Sequence, residues 1–367
     1  MKAKAKNILL VSTEFPPQPG GIGNHALNLA KSLQDSGYAI SVITDHRSFN
    51  IKTALDFDAK LNFFVHRVKR KRFRGFMYIK RLLLLFQYIK SADVVIASGK
   101  FSLWIVAFSS LWYRKKFLAV VHGSEVNISH KFFNKLTAKS LKRFEKLIAV
   151  SNFTKKLVCK INSNVVVIPN GFDPDKWKHI KTEKEGLKGS PKLITVGNVT
   201  ERKGQLNVIK QLPALLKVYP DLHYYCIGLP TQKEEFMAVA KSLKVANHVH
   251  FLGNVSNAKL KYCLLASDVF VMLSSETKTG DVEGFGIAIL EANSLGIPSI
   301  GAKNCGIEDA VNVDKSGVLI TVNQTQEFID AINKIQSNYA SYSADAKEWA
   351  AMHNWQIIIK KYIKEIN

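Results

Sequence analysis

The 367-residue chain has only four cysteines, Cys159, Cys226, Cys263 and Cys305, widely scattered and without a CxxC pair. That pattern argues against a zinc site or a disulfide framework and suits a reducing cytoplasm. No apolar run approaches the ~20 residues that a spanning helix needs; the greasiest stretch, Arg81 to Phe86 ("RLLLLF"), is far too short. No segment reads as an export signal. Met1-Lys2-Ala3-Lys4-Ala5-Lys6 is basic, but "NILLVS" soon gives way to "TEFPPQPGG". A protein that is soluble or bound at a membrane surface is expected. Acidic residues are scarce in one half. Residues 1–180 carry 31 Lys and Arg against 10 Asp and Glu, the remainder 21 against 19, so the first half holds nearly all of the +23 net charge.

Within that half, Arg67 to Arg81 ("RVKRKRFRGFMYIKR") holds eight basic and no acidic residues, with aromatic and aliphatic side chains interleaved. A solvated basic face, a surface that meets anionic lipid and a nucleic-acid site all fit. Charge alone does not separate them.

Apolar residues make up 47% of the chain, so a sizeable core can form, and the length suits two domains. Short Val- and Ile-rich runs alternate with helical patterns: "NILLVS", "AISVIT", "ADVVIAS", "FLAVVH", "KLIAVS" and "VVVIPN" come first. A polar, Gly- and Pro-containing stretch, Phe172 to Lys192, then reads as a linker. The pattern restarts with "KLITVGN", "LHYYCIG", "HVHFLG", "DVFVMLS", "IPSIGA" and "GVLITV" and closes on a terminal helix. Strands without in–out alternation, separated by helices, imply parallel sheets covered on both faces. The expected class is α/β, with two Rossmann-like doubly wound domains facing a central cleft. Their bounds are 1–175 and 192–345, with a linker at 176–191 and a helix at 346–367.

Such sheets bind ligands beyond the carboxyl ends of their strands, so the loops there are the candidates. "TEFPPQPGGIGNH" follows the first strand, with Gly20, Gly21 and Gly23 ahead of a helix. It is not the GxGxxG fingerprint, and no acidic residue is expected to end the second strand. His122 ends "FLAVVH", with Glu125 three residues on. "VTERKGQ" places Arg202 and Lys203 beside Gly204, where two cations can neutralise a diphosphate or simply sit in a surface loop. Most informative is "EGFGIAILEA", with Glu283 and Glu291 eight residues apart around a helix expected to start near Gly284. Its free N–H groups can hold an anion. At ~1.5 Å per residue the two carboxylates would stand ~12 Å apart, the span from a sugar through a diphosphate to a ribose.

These residues, with "PPQPGGIGNH", "VHGSE", "VSNFTKKLV", "VIPNGFD" and "FLGNV" in order, resemble the retaining glycosyltransferases of family 4, of GT-B fold, over almost the full length. The resemblance implies a nucleotide sugar on the C-terminal domain, an acceptor on the N-terminal one, and a terminal helix packing back toward the latter. By resemblance Glu291 would hold the ribose and Glu283 the sugar hydroxyls. The backbone at Gly284, Phe285, Gly286 and Ile287, with Lys203, would hold the diphosphate, and Gly253 would border the base. His122 would lie near the transferred sugar, with Gly20, Gly21 and His25 at an acceptor or phosphate loop. Many members carry arginine where this chain has Asn198, with Arg202 the candidate to compensate, and only Gly306 remains of a usual glycine pair. Neither cofactor nor metal is implied.

The resulting reading is a hexosyltransferase of cell-surface polysaccharide or glycolipid synthesis, using GDP-mannose or a UDP-sugar and a glycan or lipid-linked acceptor. It is expected in the cytoplasm, peripheral to the inner face of the plasma membrane, where Arg67, Lys69, Arg70, Lys71, Arg72 and Arg74 would meet anionic lipid. An inactive GT-B-like binding subunit and a basic nucleic-acid binder are the alternatives. Intact Glu283, Glu291, Lys203 and His122 argue against the first, and two glutamates in a phosphate-facing site against the second.

Overall fold

The computed structural model describes residues 6–18, 20–46, 51–69, 74–178, 180–181 and 186–367, with the backbone only at 51, 74 and 75. Two compact units emerge: Met1–Gly171 with Trp355–Asn367, and Phe172–Asn354.

In the first unit, strands β1 (Asn7–Ser12), β2 (Ala39–His46), β3 (Phe64–Lys69), β4 (Val94–Ser98), β5 (Lys116–Val121), β6 (Lys146–Ala149) and β7 (Val165–Val167) alternate with helices. These are α1 (Gly21–Asp35), α2 (Ile51–Asp58), α3 (Arg74–Ile89), α4 (Lys100–Ser109), α5 (Lys131–Leu141) and α6 (Asn152–Val158). The strands pair in parallel in the order β3-β2-β1-β4-β5-β6-β7. Every residue of β4 is buried, as a strand covered on both faces requires. Leu9, Val11, Val95 and Ala97 share one core with Leu85 and Ile89 of α3 and Leu103 and Val106 of α4.

β2 runs on past the expected "AISVIT" through Asp45 to His46, so an acid stands next to last in the second strand. Its carboxylate is occupied. In α3, Met77, Arg81, Leu85 and Ile89 recur every fourth residue on the buried side, and Arg81 pairs with Asp45. The Arg81 guanidinium also lies 3.9 Å from the Phe101 ring centroid. Arg67, expected on a lipid-facing surface, is likewise an internal residue: its side chain is 9% exposed and ion-paired to Asp58 at 2.7 Å. Folding therefore removes two cations from the basic run. Lys69 is exposed, while Arg70, Lys71, Arg72 and the Arg74 side chain lie outside the described residues.

The second unit repeats the architecture with β8 (Lys192–Val196), β9 (His223–Ile227), β10 (Val249–Gly253), β11 (Val269–Met272), β12 (Ser299–Ala302) and β13 (Gly317–Ile320). Its helices are α7 (Gln205–Val218), α8 (Lys233–Ser242), α9 (Asn257–Leu265), α10 (Ile287–Ser294), α11 (Thr325–Ser337) and α12 (Tyr339–Met352). The parallel order is β10-β9-β8-β11-β12-β13. Leu193, Val271 and Ile300 of the sheet meet Val208 and Leu212 of α7 and Phe328 and Ile332 of α11 in one core.

Composition places a linker at 176–191, yet Pro174–Trp177 is a 3-10 turn of this unit. Trp177 is 5% exposed, and its indole N–H donates to Ser294 Oγ at 3.1 Å. The expected single helix at 346–367 is two. α12 stops at Met352, where the His353 carbonyl accepts from the Phe172 N–H at 3.1 Å and Asn354 bridges Phe172. The following helix, α13 (Trp355–Ile366), belongs to the first unit and packs on α1.

In each sheet the strand order reverses once, between β1 and β4 and between β8 and β11. These switch points open crevices at the strands' carboxyl ends. The buried Arg81–Asp45 pair ties α3 to the carboxyl end of β2. Asp45→Ala, which strands the guanidinium, is expected to cost about 3–5 kcal/mol. The double change to Asp45→Leu with Arg81→Met should cost distinctly less, as read from denaturant unfolding.

Candidate active site

In the second unit the loops after β8 and β11 flank the switch point. The first carries Asn198, Arg202 and Lys203, the second Asp281, Glu283 and the start of α10. Lys203 Nζ lies 2.7 Å from Glu283 Oε2, and Arg202 Nη1 contacts the same oxygen. Arg202 Nε reaches Asp281 Oδ2 at 3.1 Å. Burial raises the Glu283 pKa, but the Lys203 and Arg202 charges outweigh it, so the carboxyl is lowered to about 2. Glu283 is thus a carboxylate throughout the ordinary pH range.

The helix begins at Ile287, not near Gly284 as expected. Gly286 is its N-cap at φ 90°, in the left-handed region that glycine tolerates, and no side chain caps the end. The segment from Glu283 to Gly286 is therefore loop, and the ~12 Å helical spacing does not apply. That loop is braced by Gly306. Its N–H donates to the Glu283 carbonyl at 3.0 Å, and a Cβ there would stand 2.0 Å from the Gly284 carbonyl oxygen. Only a glycine lets the two backbones approach so closely. Phe285 is buried beneath the loop, 1% exposed.

Glu291, on α10, pairs with Lys176 at 2.6 Å, which explains how a carboxylate sits in so apolar a helix. Asn198 is exposed at the end of β8, and Gly253 ends β10, its carbonyl accepting from the Gly228 N–H at 2.9 Å. The structure brings Arg202, Lys203 and Glu283 into direct contact; no such contact joins Asn198 or Gly253 to them.

In the first unit, His122 follows β5 and its Nε2 is 2.9 Å from Ser98 Oγ at the end of β4. The His122 N–H donates to the Glu125 carboxylate. Burial lowers the His122 pKa to about 4 and raises that of Glu125 to about 7, against the opposing His122 hydrogen bond. His25 is not a loop residue. It lies in α1, 1% exposed, with its ring centroid 5.0 Å from that of His122 and Nε2 2.9 Å from the Tyr362 hydroxyl of α13. Burial, then His122, holds its pKa well below the usual value. Gly20 caps α1 and Gly21 opens it.

Asp281, Lys176, Ser98 and Tyr362 did not stand out in the sequence. Ser98 had a readable signal, a hydroxyl ending the strand beside the switch point; the others are set by contacts distant in the chain.

Residues 19–176 match the Glycosyltransferase Family 4 domain, and residues 177–351 match Glycosyl transferases group 1. The chain belongs to the family 4 glycosyltransferases. It is 23% identical over 374 residues to the GDP-mannose-dependent alpha-(1-6)-phosphatidylinositol monomannoside mannosyltransferase of Mycobacterium tuberculosis, covering 96% of each chain. The enzyme of that name from Mycolicibacterium smegmatis is 29% identical over 188 residues, and there the match spans about half of both chains, 50% and 49%. N-acetyl-alpha-D-glucosaminyl L-malate synthase of Bacillus anthracis is 25% identical, with 86% of this chain and 84% of that one aligned. Among solved structures, Anabaena HepE in complex with UDP and glucose superposes with a TM-score of 0.78 at 19% identity over 98% of each chain. The fold is GT-B, built of two parallel-sheet α/β units.

Glu125 supplies a pH test. Folding raises this carboxyl from 4.5 to about 7, so the native state binds the extra proton between those values. Its penalty is absent below pH 4.5, grows as the pH rises and is complete above 7. Glu125→Gln should match the parent near pH 4.5 and exceed it by about 3 kcal/mol at pH 8, measured by denaturant unfolding across that range.

Proposed function

We propose that this protein is a retaining hexosyltransferase. It takes a hexose from a nucleoside diphosphate sugar and passes it to a hydroxyl of a glycan or lipid-linked acceptor in cell-surface polysaccharide or glycolipid synthesis. The observation that carries this reading is the convergence of Arg202 and Lys203 on Glu283 just ahead of the uncapped start of α10.

Without a donor, the cations and the carboxylate satisfy one another. A diphosphate entering the loop competes for Arg202, Lys203 and the amides at Gly286 and Ile287, while sugar hydroxyls donate to Glu283. Glu291 takes the ribose hydroxyls in exchange for Lys176. As the acceptor oxygen bonds to the anomeric carbon, the bond to the diphosphate breaks and charge builds on the leaving phosphate. Groups already aimed there stabilise that charge without reorganising. The attack comes from the face the diphosphate leaves, and a phosphate oxygen receives the acceptor's proton, so configuration is retained. In the first unit His122, neutral with a pKa of about 4, is an uncharged hydrogen-bonding group suited to hydroxyls.

The names of the mycobacterial relatives support GDP-mannose as donor and a phosphatidylinositol mannoside or other lipid-linked acceptor, and the HepE complex supports a UDP-sugar as the alternative donor. Such an acceptor calls for a peripheral protein at the inner face of the plasma membrane, and no helix among the described residues is long and apolar enough to cross a membrane.

A thermal-shift screen against GDP-, UDP- and ADP-sugars should yield one clear stabilising donor; no shift with any of them defeats the proposal. With that donor, Lys203→Ala and Glu283→Ala should lower turnover by roughly 100-fold or more in folded protein. Gly306→Ala, which leaves every ionic group in place, should lower it by roughly 100-fold through displacement of the Glu283–Gly284 backbone. Near-normal transfer by this variant would mean that the loop is not positioned by Gly306.

A further inference from the structure

Helices of a soluble protein turn mainly polar residues outward. The layer formed by α3, α4 and α5 turns large apolar residues outward as well, among exposed lysines such as Lys80, Lys131 and Lys135. With Met77, Arg81, Leu85 and Ile89 facing inward, α3 presents Phe76, Ile79 and Leu83 outward at 61%, 56% and 63% exposure. At the far end of α4 follow Phe108, Leu111 and Trp112, at 46%, 50% and 61%. Phe108 and Trp112 pack edge to face with centroids 4.7 Å apart, and Trp112 also meets Phe86 of α3 at 5.9 Å. The start of α5 adds Phe132, 65% exposed. None of the three helices contains an acidic residue.

Beside Trp112 lies an open groove of about 770 Å³ lined by Arg114, Lys115, Lys116, Lys142 and Arg143, with Asp93 and Glu145 as its acids. Both acids are engaged: Asp93 accepts from the Asn7 N–H at 2.8 Å, and Glu145 lies 4.0 Å from Lys116 Nζ. The groove therefore presents an excess of positive charge next to exposed aromatic rings.

We infer that the outward side of α3 and α4, together with the basic groove ending in Arg143, is a docking face for an anionic phospholipid bilayer. The aromatic and aliphatic side chains enter the headgroup–acyl boundary while the groove's cations take lipid phosphates. An exposed apolar surface fits any partner, but its acid-free helices and the excess of cations in the groove select a negatively charged one. This deepens the reading of a lipid-linked acceptor and rests on it. Of the basic run at 67–74, Arg67 is spent on Asp58 and takes no part in this contact.

Co-sedimentation of the full chain with vesicles provides the test. Binding to phosphatidylcholine–phosphatidylglycerol vesicles should exceed binding to phosphatidylcholine alone by at least tenfold and weaken with salt. Phe108→Ser with Trp112→Ser, and separately Arg114→Glu with Arg143→Glu, should each reduce it at least tenfold. The charge reversal touches only exposed side chains, so it keeps the test sound if the apolar pair misfolds. Equal binding by all variants, or none by the parent, overturns the inference. So does a soluble dimer that the Phe108–Trp112 change dissociates, because the face then belongs to a second copy. The donor-induced thermal shift should be unchanged in both variants. Loss of vesicle binding beside an intact shift separates this face from the donor site, and a parent that binds vesicles but no donor would refute the enzymatic reading alone.

Discussion

A carboxylate kept ionised inside protein depends on the charges beside it, and Glu283 is such a group. Burial by itself would favour its neutral form; Lys203 and Arg202 reverse that preference. Three charged side chains from two loops thereby stand together where the proposed diphosphate would enter. The arrangement holds because the strand order reverses beside β8 and β11, bringing the two loops to one crevice, and because Gly306 lets a third segment lie against the Glu283–Gly284 backbone. Removing the sheet's switch point or that glycine would leave the same residues without a common target.

The first unit handles its buried polar groups in the opposite manner. His122 and His25 are held neutral, and Glu125 is raised to about 7. The Tyr362 hydroxyl and the Ser98 hydroxyl complete a set of uncharged hydrogen-bonding groups. A charged cluster suits the anionic part of a nucleotide sugar, and an uncharged one suits hydroxyl groups, whose orientation needs hydrogen bonds more than net charge. The two environments therefore differ chemically as well as being separate in the chain.

Excess basic charge in the first half has more than one use. Arg67 and Arg81 serve the fold, each fixed to an aspartate and lying over an aromatic ring. Others, such as Arg114 and Arg143, stay at the surface. The same residue types in one basic half of the chain thus divide into structural and solvent-facing sets, and net charge does not report the division.

Local pattern sufficed for the α/β class, the two sets of parallel strands and the loops that carry Lys203, His122 and Glu283, because unalternating Val- and Ile-rich runs and glycines ahead of helices are properties of neighbouring residues. It also placed Glu283 and Glu291 on one segment. It could not place the start of α10 at Ile287, set by the left-handed Gly286, or the break between α12 and α13, set by a bridge to Phe172 nearly two hundred residues earlier. Nor could it show that His25 faces His122 and Tyr362, that Lys176 neutralises Glu291, or that Arg81 reaches Asp45. Each of these joins residues remote in the chain, and only the packing of strands and helices decides which remote groups come within bonding distance.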